Sequence, residues 1–153
     1  IEKSEAGLLT KLAGGRPGVV LELIKNKELL NERLSTAREF LSLFGGWLGT
    51  KTYLDKILNR EHESDHDSNK IKAQKILNIW LEVARDLLLL KSGNSSSIHY
   101  QNLKNELELV GQDKTLTKAL IIVNLIKQAL VKLKFNANAR LTTEWVTYTI
   151  NHL

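Results

Sequence analysis

The sequence predicts an all-α protein, and three observations carry that expectation. A single Pro stands in 153 residues, so little interrupts a helical run. The strong helix formers Leu, Lys, Glu and Ala are abundant. Apolar residues recur at helical spacing in several stretches, most densely from Leu77 to Asn94, LNIWLEVARDLLLLKSGN. The length suits one domain, and 42% apolar residues are enough for a packed core without staples. With no Cys, disulfides and thiolate metal sites are excluded.

The elements follow in order. Ser4 to Ala13 reads as a short helix stopped by Gly14-Gly15, and Pro17 opens a second helix to about Lys25. Two short helices bury little alone, so this pair is expected to lean on residues outside the chain. Glu28 to Leu48 is amphipathic, with Leu30, Leu34, Ala37, Leu41, Phe44 and Leu48 inward. Thr52 to Arg60 reads as a further helix, and Glu61 to Asn69, without an apolar residue, as a solvated loop.

The long helix spans about Ser68 to Leu90. Ile76, Leu77, Trp80, Ala84, Leu87 and Leu88 line one face, and Ile79, Val83 and Leu90 form a second stripe. A helix apolar on two sides belongs to the middle of a core or to a subunit seam. Ile98 to Leu109 reads as a less regular helix. Thr115 to Leu133 carries Leu116, Ala119, Leu120, Val123, Ile126, Leu130 and Leu133 on one side, and Ile122, Leu125 and Ala129 on another. Leu141 to Leu153 closes the chain, with Leu141, Trp145 and Tyr148 or Thr149 inward. No internal repeat is apparent.

Net charge is +5, but no predicted helix face gathers the Lys and Arg, and no aromatic residues alternate with them for base stacking. A solvated basic surface is the preferred reading over nucleic-acid binding. No apolar run reaches a membrane span and no signal peptide is visible, so a cytoplasmic setting is expected. The chain begins at Ile1 and contains no Met, which predicts a piece of a longer polypeptide.

Three patterns suggest chemistry and lose to simpler readings. His62-Glu63-Ser64-Asp65-His66 spells the H-E-x-x-H of zinc proteases, which needs a helix anchored in the core so that both imidazoles reach one metal. No apolar anchor surrounds it, and a solvated acidic loop is preferred to a zinc hydrolase using His62, Glu63 and His66. Gly45 to Thr52, GGWLGTKT, resembles a phosphate-binding loop, yet Thr50 separates Gly49 from Lys51 and a helix, not a strand, precedes it. Arg85 beside Asp86 reads as an ion pair or interface anchor, and His99 and His152 as solitary. No catalytic residue, cofactor or metal site is expected.

Two stretches and a closing signature carry a resemblance. Ala13-Gly14-Gly15-Arg16-Pro17-Gly18-Val19-Val20-Leu21-Glu22-Leu23 and Trp80 to Gly93 resemble the C-terminal half of bacterial clamp-loader subunits of DNA polymerase III. Asn136-Ala137-Asn138-Ala139-Arg140-Leu141, followed by Glu144, is similar to the family signature before its last helix. The delta-prime branch is the nearest likeness. It runs nearly end to end, with these three islands as its specific parts.

The resemblance implies that residues 1–26 are the tail of a AAA+ lid domain and 27–153 a helical collar joining the subunits of a ring. In ATP-hydrolysing relatives the lid motif reads Gly-Ser-x-Arg-Asp-Ala-Leu. Aligned on Gly15 and Leu21, its Arg falls at Gly18, and Arg16 lies roughly 200° away around a helix. Loss of that Arg is what the non-hydrolysing delta-prime branch shows. Arg16 also stands where the family has a capping Ser, so the lid helix is expected to be less well capped.

The implied role is non-catalytic assembly within an ATPase complex that loads a sliding clamp during DNA replication. The partners would be gamma/tau and delta subunits, with DNA and clamp met only through the whole complex and no membrane. Interface candidates carried over are Trp80, Arg85, Asp86, Asn136, Asn138, Arg140 and Glu144. Rival readings are a gamma/tau or delta collar, the zinc hydrolase, and a helical adaptor unrelated to replication.

Overall fold

Helix follows helix wherever the structure, a computed structural model, describes the chain: residues 3–45, 52–55, 58 and 66–153. Among these residues there is no strand. The helices are α1 (Lys3–Leu12), α2 (Pro17–Lys25), α3 (Lys27–Ser42), α4 (His66–Lys91), α5 (Lys104–Gly111), α6 (Leu116–Lys134) and α7 (Ala139–Asn151), with a helical turn at 52–55. No helix of the described residues is long and apolar enough to cross a membrane.

Local chemistry sets the breaks. Gly14 and Gly15 turn the chain at φ 57° and 74°, a left-handed region that costs glycine little. Arg16 precedes α2 without a side-chain cap, as the sequence predicts. Asn26 ends α2 and caps α3, its Oδ1 accepting from the Leu29 amide at 3.1 Å. Thr115 and Asn138 cap α6 and α7 in the same way, accepting from Lys118 N at 3.1 Å and Leu141 N at 3.0 Å.

α4 is the central helix, touching α3, α5, α6 and α7, with its most extensive contact along α6. Ala73, Ile76, Leu77, Trp80, Val83, Ala84 and Leu87 are buried on it, while Ile79, Leu88 and Leu90 are half-buried. The first of the two settings for this helix, the middle of a core, is therefore the one observed within the chain. Its start lies earlier than expected: residues 66–69 are helical, with Asp67 in the first turn, where an acid complements the helix dipole.

Four further expectations are corrected. α1 and α2 find burial within the chain, where Leu9, Leu12, Ala13 and Leu23 are enclosed in the common core, while Leu21 and Ile24 of α2 stay exposed. α3 ends at Ser42 and continues as a 3-10 turn, Leu43–Gly45, and it also buries Phe40. Residues 98–100 are not helical; a 3-10 turn at Gln101–Leu103 leads into α5.

The fourth concerns the outer helices. α6 buries Ala119, Ile122, Val123, Leu125, Ile126, Ala129 and Leu133, leaving Leu116 and Leu120 exposed. α7 buries Ala139, Thr142, Thr143, Val146, Thr147 and Ile150, and turns Leu141 (64% exposed) and Tyr148 (55%) outward.

Candidate functional site

Three groupings of side chains lie outside ordinary core packing. The first is built on the second half of α4. Asp86 is fully buried, and its carboxylate accepts from the His99 amide at 3.0 and 2.9 Å and from the Tyr100 amide at 2.8 Å. Burial pushes this carboxyl up from its ordinary range, against the two amides and the charges of His99 and Arg85, which pull it down. Arg85 is exposed and donates to His99 Nε2 at 3.1 Å.

One turn earlier on α4, Glu82 accepts from Arg33 Nη2 at 2.5 Å and from the Tyr100 hydroxyl at 2.9 Å. Arg33 also donates to Tyr100 Oη at 3.2 Å and to the Leu12 carbonyl at 3.1 Å. Burial, with Glu82 adding to it, raises the Tyr100 phenol, so the hydroxyl stays protonated. This network joins the end of α1 to α3, α4 and the segment before α5. It offers no exposed nucleophile paired with a base, and its geometry is that of a staple.

The second grouping is the turn between α6 and α7. Asn136 takes φ 61°, which Asn tolerates better than most residues, and its Oδ1 accepts from Lys70 at 2.8 Å. Arg140 donates Nη1 to the Leu58 carbonyl at 3.1 Å, Nη2 to Asp55, and Nε to Glu144 at 2.8 Å. Of the seven candidate interface residues, Asn136, Asn138, Arg140 and Glu144 thus come together in one region, each engaged within the chain. Arg85 lies elsewhere and is exposed. Trp80 and Asp86 have no exposed surface, so any part they play in an interface passes through the shape of the core and of the 98–100 segment.

The third is the outer wall made by α6 and α7. Leu116, Leu120, Ile121 and Val131 are exposed along α6, and Phe135 beyond its end is 83% exposed. Lys132 Nζ lies 3.8 Å from the centroid of the half-buried Trp145 ring, a cation–π contact between the two helices. Tyr148 stacks on His152 with ring centroids 4.1 Å apart.

Protein-family models, curated proteins and solved structures give no match to this chain.

Of the metal-like pattern, His62, Glu63, Ser64 and Asp65 lie outside the described residues, as do 46–51 of the phosphate-loop-like stretch, and His66 opens α4. Elsewhere among the described residues no three potential metal ligands converge. Sequence spacing places Tyr100 only as an apolar position of the stretch from Ile98 to Leu109, and gives no signal for its pairing with Arg33 and Glu82. Tyr100 lies 67 positions from Arg33, and only folding reveals the pairing. The outer stripe of α7 did carry a signal, because Leu141, Trp145 and Tyr148 share helical spacing; spacing identifies a face without saying which way it points.

Proposed function

We propose that this chain is a non-catalytic assembly domain, a helical collar with the tail of a AAA+ lid at residues 1–26, of the clamp-loader delta-prime kind. It would hold neighbouring subunits in a ring while ATP acts elsewhere to open a sliding clamp during DNA replication. Its partners would be the gamma/tau and delta subunits, with DNA and clamp approached only through the complex.

The observation that carries the reading is the apolar outer wall. Leu116, Leu120, Val131, Phe135, Leu141 and Tyr148 all lie exposed on α6, α7 or the turn between them, in a chain that already encloses a complete core. Single exposed apolar residues are ordinary, but apolar residues repeated along the outer face of a helix are the pattern of a surface meant to be covered. An interface of that kind needs an apolar centre with a polar rim, and Lys127, Lys134, Asn124 and Gln128 supply polar positions among the apolar ones.

The test is size-exclusion chromatography of the parent polypeptide with cognate gamma/tau and delta subunits. Co-elution lost on changing Leu120 and Leu141 to Ser supports the assembly role. Failure of the unaltered protein to co-elute sinks it.

A further inference from the structure

The exposed wall has a chemical character as well as an apolar one. α6, LTKALIIVNLIKQALVKLK, contains four Lys and no acid. At 100° per residue, Leu116, Leu120, Lys127, Val131 and Lys134 fall within about 60° of arc on its outer side, and all five are exposed. The stripe runs the length of α6, about 28 Å at 1.5 Å per residue. On the adjoining α7 the one acid, Glu144, is held by Arg140 at 2.8 Å. Lys132, about 100° further around α6 than that stripe, lies over Trp145 of α7 and takes no part in it.

From this we infer that the outer face of α6 receives an acidic amphipathic helix of a partner protein. Such a helix lays apolar residues at i, i+3, i+4 and i+7 along Leu116, Leu120 and Val131, and sets Glu or Asp beside Lys127 and Lys134. A second copy of this chain fits poorly, because a symmetric contact brings together two faces that carry Lys and no acid, and like charges oppose association. The inference deepens the assembly reading by naming the chemistry of the neighbour, and rests on it only in treating this wall as a seam.

The probe is a labelled synthetic peptide as long as α6, with Leu at i, i+3, i+4 and i+7 and Glu elsewhere. A counterpart carries Lys in place of Glu, and binding to the full chain is read by fluorescence anisotropy. The Glu peptide is expected to bind at least about tenfold tighter than the Lys peptide, a preference that weakens with salt. The double variant Lys127→Glu/Lys134→Glu should reverse that preference, and Leu120→Ser should weaken the Glu peptide. These positions are exposed, and circular dichroism checks that each variant stays folded.

Absence of saturable binding, equal affinity for the two peptides, or an unreversed preference in the double variant overturns the inference. So does binding to phosphatidylserine-containing vesicles, or a concentration-dependent dimer, that Leu120→Ser abolishes while the Glu peptide fails to bind. Co-elution with clamp-loader subunits that the double variant leaves unchanged removes the acidic helix while sparing the assembly role. Selective Glu-peptide binding without co-elution does the reverse.

Discussion

The Tyr100 amide donates to Asp86 Oδ2 at 2.8 Å, from backbone that is itself buried. With the His99 amide donating to both carboxylate oxygens, one side chain of α4 takes the place of a helical turn for the segment entering α5. Asp86→Ala leaves those amides without their acceptor, a cost of about 3 kcal/mol for buried donors facing a lost charge. Asp86→Asn retains one acceptor and should lose about half as much. Urea unfolding of the two variants gives the comparison, and equal losses would mean that the carboxylate does not hold the segment.

The same group makes a prediction with an unusual sign. Burial raises the Asp86 carboxyl in the folded state above its ordinary value, so the folded protein binds that proton more tightly than the unfolded chain. Its contribution is fully present below the unfolded pKa and is lost as pH rises through the raised folded value. Relative to Asp86→Asn, the unaltered protein should therefore gain stability on acidification from about pH 7 towards about pH 4. A relative loss over that range would show that the amide bonds outweigh desolvation.

Arg33 reaches three different parts of the chain, and its side chain is only 17% exposed. Its bond to the Leu12 carbonyl fixes the end of α1. Arg33→Ala should lower global stability by about 2 kcal/mol and leave Glu82 without its cation. Tyr100→Phe, which removes one hydroxyl serving Arg33 and Glu82, should cost about 1 kcal/mol. A double-mutant cycle between the two positions should show coupling near 1 kcal/mol. Hydrogen exchange adds the local reading: Arg33→Ala should speed exchange in α1 more than in α6, and uniform acceleration would reject a tether role.

The helical periods were legible from sequence because α4 and α6 repeat their apolar residues over many turns, and α2 matches its expected span because Pro17 marks its start. Facing was less legible. In α7 the inward face is rich in Thr, which hydropathy ranks below Leu and Tyr. Thr143 donates to the Ala139 carbonyl at 2.8 Å and Thr147 to the Glu144 carbonyl at 2.8 Å, so their hydroxyls are satisfied within the helix and their methyl groups can be buried. Leu141 and Tyr148 are thereby released to the surface. The 98–100 segment was illegible for another reason: its conformation depends on Asp86, an acid that reads as a surface residue until its partners are known.

That facing of α7 is directly testable. Ile150 is 1% exposed and Leu141 64%. Ile150→Ala should cost about 3 kcal/mol through lost burial and a cavity. Leu141→Ala should change stability by no more than about 0.5 kcal/mol beyond its helix-propensity effect. Denaturant midpoints of the two variants decide it. The reverse order would restore the inward placement of Leu141 that the sequence suggested.

Arg140 holds Asp55 and Leu58 against α7 through separate nitrogen atoms, with a third bonded to Glu144. Lys keeps the charge but presents one ammonium, and cannot span three acceptors in fixed directions. Arg140→Lys should therefore recover little of the roughly 1–2 kcal/mol lost in Arg140→Ala, with Asp55 and Glu144 left to repel each other. Leu54 and Leu58 are both fully buried, so loosening this anchor also exposes apolar surface. Exchange of the Leu58 amide, which bonds the Leu54 carbonyl at 2.9 Å, should quicken in both variants. If Lys restores stability and slow exchange together, the charge alone suffices and the forked geometry does not matter.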